Sequence, residues 1–433
     1  VPTQPAAVYD AVIIGAGAAG LGCAAVLRQA GRRVLVLEAR ARIGGRVWTD
    51  RSFAPHPVEF GAEFVHGQHA SSWPLIRAAG LEHALWPKRD ESLVHAEPGG
   101  PRDGWVGMAT LRTLDPSFDR TRTLTFTDPV AQDDESFDDY LRGVGFDHRQ
   151  RRYVRRSFAN ACGEAPERLS AASVVAGLAD DRDGDLDYRV VGGYDRALEA
   201  LAVGIEVQLG AVVARVTRTR AGVEVALADG GRLAARSAVV TLPVGVLRSG
   251  AVRFDDDVWH DKRDALLGLA MGPVIKLVYR LERPPVDDEH VSALYAAGAV
   301  PMWWSPSASR EAPEERAAQV WTGFVSGPNA AELLRYPAGE ALQRALRQLS
   351  QEVGSDLRAR AAQLVDWPAD TFARGGYSAV LCGHHGAREA LAAATPPIVW
   401  AGEATARDGA AATVHGALES GQRAADEVLA LLA

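Results

Sequence analysis

Four residues in the first forty have types and spacing that fit the binding of a doubly charged phosphate ester. Gly15, Gly17 and Gly20 stand in G-x-G-x-x-G order directly after the apolar run Ala11 to Ile14, and Glu38 closes the next apolar run at about the 20-residue spacing expected of an acid that takes ribose hydroxyls. Gly15 allows a tight turn, Gly17 lets the backbone approach a pyrophosphate, and Gly20 lets a helix press on a strand. A helix opening at Ala18 would aim its free N–H groups and its dipole at the phosphates. A carboxylate at Glu38 repels a 2′-phosphate, which argues against NADP. The pattern says dinucleotide without separating NAD from FAD.

Other side chains with chemical potential stand further along. Lys276 interrupts the apolar stretch Val274-Ile275-Lys276-Leu277-Val278-Tyr279. It is either snorkelling from a half-exposed strand or held inward for chemistry, and the pattern alone favours snorkelling. His66, taken by itself, reads as an ordinary surface histidine. His384 and His385 beside Cys382 lack the helical or hairpin spacing that converges ligands on one ion, so no metal is expected. The three cysteines, Cys23, Cys162 and Cys382, are odd in number and widely spaced, and they read as reduced thiols.

These residues need a scaffold, and the apolar periodicity supplies one. Cys23, Val26, Leu27 and Ala30 fall at helical spacing, Gly31 is a natural stop, and Val34 to Leu37 form a second buried strand, giving a βαβ unit. Glu38 to Arg46 is a polar, glycine-hinged loop. From Ser71 to about Asp187 helices and loops are expected. They carry an acidic group (Asp133, Asp134, Glu135, Asp138, Asp139) and a basic one (Arg149, Arg151, Arg152, Arg155, Arg156), both read as solvated helix faces. The five aspartates between Asp180 and Asp187 read as a plain acidic loop, with a cation entrance as the sharper alternative. Val190 to Tyr194 is a glycine turn into an amphipathic helix. Strand-like stretches follow at Glu206 to Leu209, Ala211 to Thr217, Val223 to Leu227 and Ala238 to Leu242, the last running into Pro243.

The chain has 433 residues, too many for one compact core, with 47% hydrophobic and 24% charged residues, and two domains are expected. A formal net charge of −8 disfavours a nucleic-acid partner and suits cationic substrates. No segment has the roughly 18 uninterrupted apolar residues that span a bilayer. The first residue is Val1 rather than methionine, which leaves a removed targeting segment open. Cytoplasm is the default expectation.

Four blocks of sequence carry a resemblance. Glu38-Ala39-Arg40-Ala41-Arg42-Ile43-Gly44-Gly45-Arg46 resembles the "LEAR-x-R-x-GGR" extension of flavin-dependent amine oxidases. Gly61-Ala62-Glu63-Phe64-Val65-His66-Gly67 is similar to that family's "G-A-x-W-x-H-G" segment, with Phe64 in place of the usual Trp. Trp367 to Ser378 is similar to the "W-x-x-D-x-x-x-x-G-x-Y-S" signature of polyamine oxidases and flavin-type histone demethylases. The last block, Ala401-Gly402-Glu403 with Thr413-Val414-His415-Gly416, resembles the closing motif.

The resemblance covers nearly the whole chain, and the blocks occur in the family's order. It implies FAD, with the Gly44-Gly45-Arg46 loop wrapping the pyrophosphate. The segment of Gly61, Ala62, Glu63 and Phe64 would pass beside the flavin ring, with the backbone of Val213 at the adenine and Pro243, Gly402, Glu403 and Val414 in the cofactor shell. Lys276 would hydrogen-bond through a water to flavin N5, Trp367 would pack on the ring, and Tyr377 would form one wall of a substrate cage. Thr413 stands where monoamine oxidases have a second cage tyrosine. Gly376 stands where membrane monoamine oxidases carry the cysteine bonded to FAD, which implies a non-covalent flavin.

The implied fold is α/β, a Rossmann-like FAD-binding domain (1–70, 188–244 and 387–433) interleaved with an α+β substrate-binding domain (71–187 and 245–386). The implied reaction is oxidation of an amine to an imine with O2 reduced to H2O2, a polyamine such as spermine or spermidine being the expected substrate. His66 and Glu63 together would welcome a cation and reject a carboxylate. An L-amino-acid oxidase needs a cation where Glu63 stands and is disfavoured on that ground. A monoamine oxidase is the other alternative of the same kind, and a non-catalytic flavoprotein interaction module is the rival of another class.

Overall fold

The structure, a computed structural model, describes residues 9–86, 92–98, 100, 104–123, 134–180, 182–184, 186–287, 291–307 and 313–433. Asp133, Asp181 and Asp185 of the acidic runs lie outside the described residues. The chain opens with β1 (Tyr9–Ile14), α1 (Ala18–Gln29) and β2 (Val34–Glu38), the expected βαβ unit. β1 lies between β2 and the strand Arg232–Val240, parallel to both. Val207–Leu209 extends the sheet beyond β2, and Ile398–Trp400 pairs with the end of Arg232–Val240, again in parallel. The start of Arg232–Val240 instead carries an antiparallel pair, Gly222–Leu227 and Val213–Thr219.

The apolar runs of β1 and β2 are nearly unbroken because the sheet is covered on both faces. Ala11, Ile13, Val34 and Val36 face α1 and the C-terminal helix Val414–Leu432, whereas Val12, Ile14, Leu35 and Leu37 face Leu247, Phe254, Val258, Leu266 and Trp400. Small residues let the two helices of the first face close up. A Cβ on Gly421 would stand 2.2 Å from the carbonyl oxygen of Ala19, and one on Gly22 would stand 3.3 Å from Leu418. The second face shows that this core reaches past residue 244, since Phe254, Val258, Leu266 and Leu269 belong to it.

A second sheet runs in the order Ala359–Asp366, Val274–Leu281, Val320–Ser326, Met302–Trp304, Ala293–Tyr295, Ser92–His95, Trp105–Gly107. Its last two strands come from the 71–187 stretch, for which only helices and loops are expected. They are four and three residues long, too short for alternation to announce a strand. The helix Ala338–Val353 sets Ala345 and Leu349 against Ile275, Leu277 and Tyr279 of this sheet. The strand Val274–Leu281 is paired on both sides, and every residue of it except Arg280 is buried.

The basic group is not a free solvated face. Arg149 pairs with Asp115, Arg151 with Asp138, Arg152 and Arg156 with Glu97, and Arg155 with Glu167. Among the described residues, no helix is long and apolar enough to cross a membrane.

Candidate active site

The glycine turn assigns each of its glycines a separate constraint. Gly15 has φ +111°, and a Cβ there would lie 2.5 Å from Thr241 Oγ1. A Cβ on Gly20 would lie 1.9 Å from the carbonyl oxygen of Gly15, so the helix sits directly on the end of the strand. At Gly17 a Cβ would meet nothing within 4 Å. Gly17 is also the N-cap of α1, which has no side-chain cap. The first-turn N–H groups therefore have no side chain across them, and a phosphate can use that space.

The loop after β2 closes over this turn. Gly44 N donates to Ala16 O at 2.9 Å, and the position of a Cβ on Gly45 is 3.5 Å from Gly17 Cα. Arg42, the second arginine of the loop motif, holds the loop in shape by donating to the carbonyls of Ile43, Gly45 and Val47. Glu38 is buried, and its two oxygens accept from Ala16 N and Arg40 N. Arg40, next to Ala39, forms a two-pronged pair with Asp370 at 2.8 and 2.7 Å, so its charge is already balanced. Beside Glu38 the chain returns: Ala211 N donates to Glu38 O and Gly210 N to Arg40 O, which sets Val213 near the end of β2. Thr241 and Gly402 flank the turn from the next two strands, Thr241 Oγ1 donating to Ile14 O and Gly402 adopting φ +124°. Pro243 follows as the N-cap of the helix Val244–Arg248.

Arg46 ties four blocks of sequence together. Its carbonyl accepts from Ala62 N at 3.0 Å, and its guanidinium donates to Gly376 O and Glu403 Oε1, both at 2.8 Å. Glu403 also accepts from the amide and hydroxyl of Ser378 and from Ala412 N. Burial alone would raise its pKa, but Arg46, Arg388 and the Ser378 hydroxyl overcome that and hold it below the usual carboxylate range. One step beyond Ala412, Thr413 caps the C-terminal helix by accepting from Gly416 N at 3.0 Å while donating to Ala410 O at 2.6 Å, and Val414 starts that helix.

Gly61 continues inward from Arg46; a Cβ there would stand 2.0 Å from Arg46 O. The next residues meet Lys276. Its Nζ donates to Glu63 Oε2 at 2.9 Å and to Glu59 O at 2.8 Å. At 4% exposure, on a strand paired on both sides, Lys276 has no route to solvent by snorkelling. The inward alternative is the observed one.

Glu63 departs from expectation. It is no spare acid, because Lys276 and Trp304 Nε1 share Oε2 and Arg189 Nη2 lies 2.6 Å from Oε1. Burial would push its pKa up, but the two cations win and keep it low. Two formal cations thus enclose one carboxylate, and the idea that Glu63 offers its charge to a substrate and repels a carboxylate is corrected on that ground. Arg189 itself stacks 3.7 Å from the Trp86 ring centroid and 5.1 Å from that of Phe64. The sequence gives little sign of it, since Arg189 lies in a short strand just before a glycine turn.

Phe64, Trp86, Trp304 and Phe324 form a continuous aromatic wall with centroid spacings of 5.2 to 5.6 Å. His66 follows Phe64 at 5.9 Å and pairs with Asp187 at 2.8 Å, its side chain about half exposed (52%). Its partial desolvation works to lower its pKa, and the Asp187 carboxylate outweighs this and raises it. Trp367 is buried, donates to Phe60 O at 3.1 Å and meets Trp48 edge to face. Tyr377 donates to Ala161 O at 2.7 Å, and burial keeps its phenol protonated far above the ordinary range. A Cβ on Gly376 would stand 2.2 Å from Val274 Cγ2, so no side chain fits there. Two of the described aspartates of the 180–187 loop are also paired: Asp180 with Arg182 and Arg407, Asp183 with Arg407 and His415.

Gly17, the uncapped α1 and Glu38 fit a dinucleotide, and the Arg46 junction brings the remaining blocks to the same place. A family model described as flavin containing amine oxidoreductase matches residues 18–429. Polyamine oxidase 4 of Oryza sativa subsp. japonica is 26% identical, over 98% of this chain and 89% of that one. Lysine-specific histone demethylase 2 of Homo sapiens is 27% identical, over 97% of this chain and 53% of that one. Among solved structures, a putrescine oxidase bound to putrescine superposes with a TM-score of 0.80 at 24% identity, covering 98% of this chain and 100% of that one. Cyclohexylamine oxidase from Brevibacterium oxydans IH-35A gives 0.78 at 21%, again covering 98% of this chain and 100% of that one. With a dinucleotide cradle at its start and the family match running over almost its full length, the chain belongs to the flavin-containing amine oxidoreductases, and FAD is its cofactor.

Proposed function

We propose that this protein oxidises an amine carrying a second basic group, of the polyamine class, to an imine and passes the electrons to O2 to give H2O2. Gly15, Gly17, Gly20, Glu38 and the Gly44-Gly45-Arg46 loop would hold the dinucleotide. The Gly61 to Phe64 segment, Trp367, Gly402, Glu403 and the capped helix start at Thr413 would surround the ring end. When bound, the flavin supplies the electron-accepting chemistry. The chain's own residues orient the amine, exclude water and set its protonation.

The observation that carries this reading is Lys276, a buried lysine anchored on the same segment that hydrogen-bonds to Arg46. With Arg189 it gives the centre two cations against the one Glu63 carboxylate. A positive neighbour disfavours an ammonium, so an amine here is driven towards the free base, whose lone pair the oxidation requires. Phe64, Trp86, Trp304, Phe324 and Tyr377 provide apolar walls for the carbon chain. The His66–Asp187 pair, at the outer end of that wall, would be the polar contact for the substrate's second nitrogen. Thr413, smaller than an aromatic residue, leaves room for a longer substrate.

Arg189 favours a second reading, oxidation of an L-amino acid, whose carboxylate would compete with Glu63 for the guanidinium. The two are separated by kcat/KM for peroxide formation across spermine, spermidine, putrescine, benzylamine and several L-amino acids. Spermine or spermidine should lead benzylamine, with the amino acids far behind. An L-amino acid above every polyamine would replace the first reading with the second.

A further inference from the structure

We propose that Glu63 and Arg189 are positioning residues for Lys276: a carboxylate clamped by a stacked arginine fixes the direction in which the lysine presents its remaining N–H. This rests on Lys276 serving the flavin. Three facts carry it. Glu63 and Lys276 side chains are 3% and 5% exposed and Arg189 is 8% exposed, so water does not loosen the contacts. Both oxygens of Glu63 are engaged, Oε1 by Arg189 and Oε2 by Lys276 and Trp304. Arg189 in turn is held by stacking on Trp86 and Phe64 and by a 3.4 Å contact with Ser305 O, which makes the clamp rigid from its far end.

A lysine ammonium has three N–H bonds. Two are spent on Glu63 Oε2 and Glu59 O, and tetrahedral geometry then fixes the third. Arg189 acts through Glu63, whose other oxygen takes Lys276. The charged groups around Nζ are Glu63, Arg189 behind it, and the Glu59 carboxyl on the far side of the residue whose carbonyl Nζ uses. Removing the Glu63 charge takes away the ion-pair partner of both Lys276 and Arg189 in a desolvated centre, which loosens the lysine.

The test compares holoprotein variants Lys276→Met, Glu63→Gln, Arg189→Met and the double variant Lys276→Met with Glu63→Gln. Each is measured for flavin reduction, flavin reoxidation and the flavin absorption spectrum from about pH 6 to 10. Lys276→Met should slow one half-reaction by about tenfold or more. Glu63→Gln should reproduce most of that loss in the same half-reaction, and the double variant should be no slower than Lys276→Met alone. The Glu63→Gln spectrum should also depart from wild type in the same direction as the Lys276→Met spectrum, which a purely structural role would not produce. Arg189→Met should fall between wild type and Glu63→Gln. If Glu63→Gln does not fold, Trp304→Phe makes the same comparison by removing one donor from Oε2, with an expected loss of about two- to threefold. A slow Lys276→Met beside a Glu63→Gln, or Trp304→Phe, of wild-type rate and spectrum overturns this inference and leaves the role of Lys276 standing. A Lys276→Met of wild-type rate overturns both.

Discussion

Glu59 shows how far single residues are bent by the site. Burial pushes its carboxyl up to about 7 from an ordinary 4.5, although Thr49 Oγ1 and Tyr194 N hydrogen-bond to it and favour the anion. Between those values the folded protein keeps a proton that the unfolded chain has lost. Glu59 therefore costs nothing at low pH, and its penalty grows as pH rises through that window and is complete above about 7. Glu59→Gln removes the ionisation, so the difference in urea midpoint between variant and wild type should move in the variant's favour from pH 5 to pH 8. A difference that stays constant over that range would mean the carboxyl titrates normally. Residue chemistry of this kind was hidden in the sequence. Lys276 was visible as an interruption in an apolar strand, but whether it pointed inward depended on the partner strands Val320–Ser326 and Ala359–Asp366, whose paired residues Phe324 and Val365 are far along the chain. Arg189 and Trp304 gave no local signal at all, because their importance comes from tertiary contact with Glu63.

At the level of elements the sequence spoke more clearly. β1, α1 and β2 were legible because glycine spacing, helical periodicity and apolar runs agree within thirty residues, and the parallel strands of the first sheet announce themselves by composition. The strands Ser92–His95 and Trp105–Gly107 did not, since three or four residues carry no period. The glycine turn yields a paired expectation. Gly17→Ala places a methyl in open space, so the unfolding free energy of the flavin-free protein should stay within about 0.5 kcal/mol of wild type while FAD affinity falls by an order of magnitude or more. Gly20→Ala drives a methyl to 1.9 Å from Gly15 O and should destabilise the fold itself by about 3 kcal/mol. Equal loss of stability in the two variants, read by thermal and urea unfolding, would show that Gly17 has a packing role and no open space above it.

Over the whole molecule, interleaving follows from hydrogen bonding. One sheet draws on residues 9–38, 207–240 and 398–400, the other on 92–107 and 274–366. We propose the cofactor domain as 1–70, 188–244 and 387–433, with the helix Asp256–Leu267 packed onto its core from the other side of the boundary. The motifs foretold which segments meet; that Arg46 is where they meet required the fold. Because Gly376 has no room for a side chain, acid or heat should release intact FAD into the supernatant, and flavin left on the precipitated protein would contradict a non-covalent site. The central claim, amine oxidation at a flavin, is tested most directly by mixing the purified protein anaerobically with spermine, spermidine, putrescine and benzylamine, and following absorbance near the flavin band. At least one polyamine should bleach the flavin fully in a single turnover, faster as pH rises toward the amine's own pKa of about 10, and admitting O2 should restore the colour with one peroxide per flavin. A flavin that stays oxidised with every amine, or that bleaches at sub-saturating amine at a rate indifferent to pH between about 6 and 10, would contradict the account.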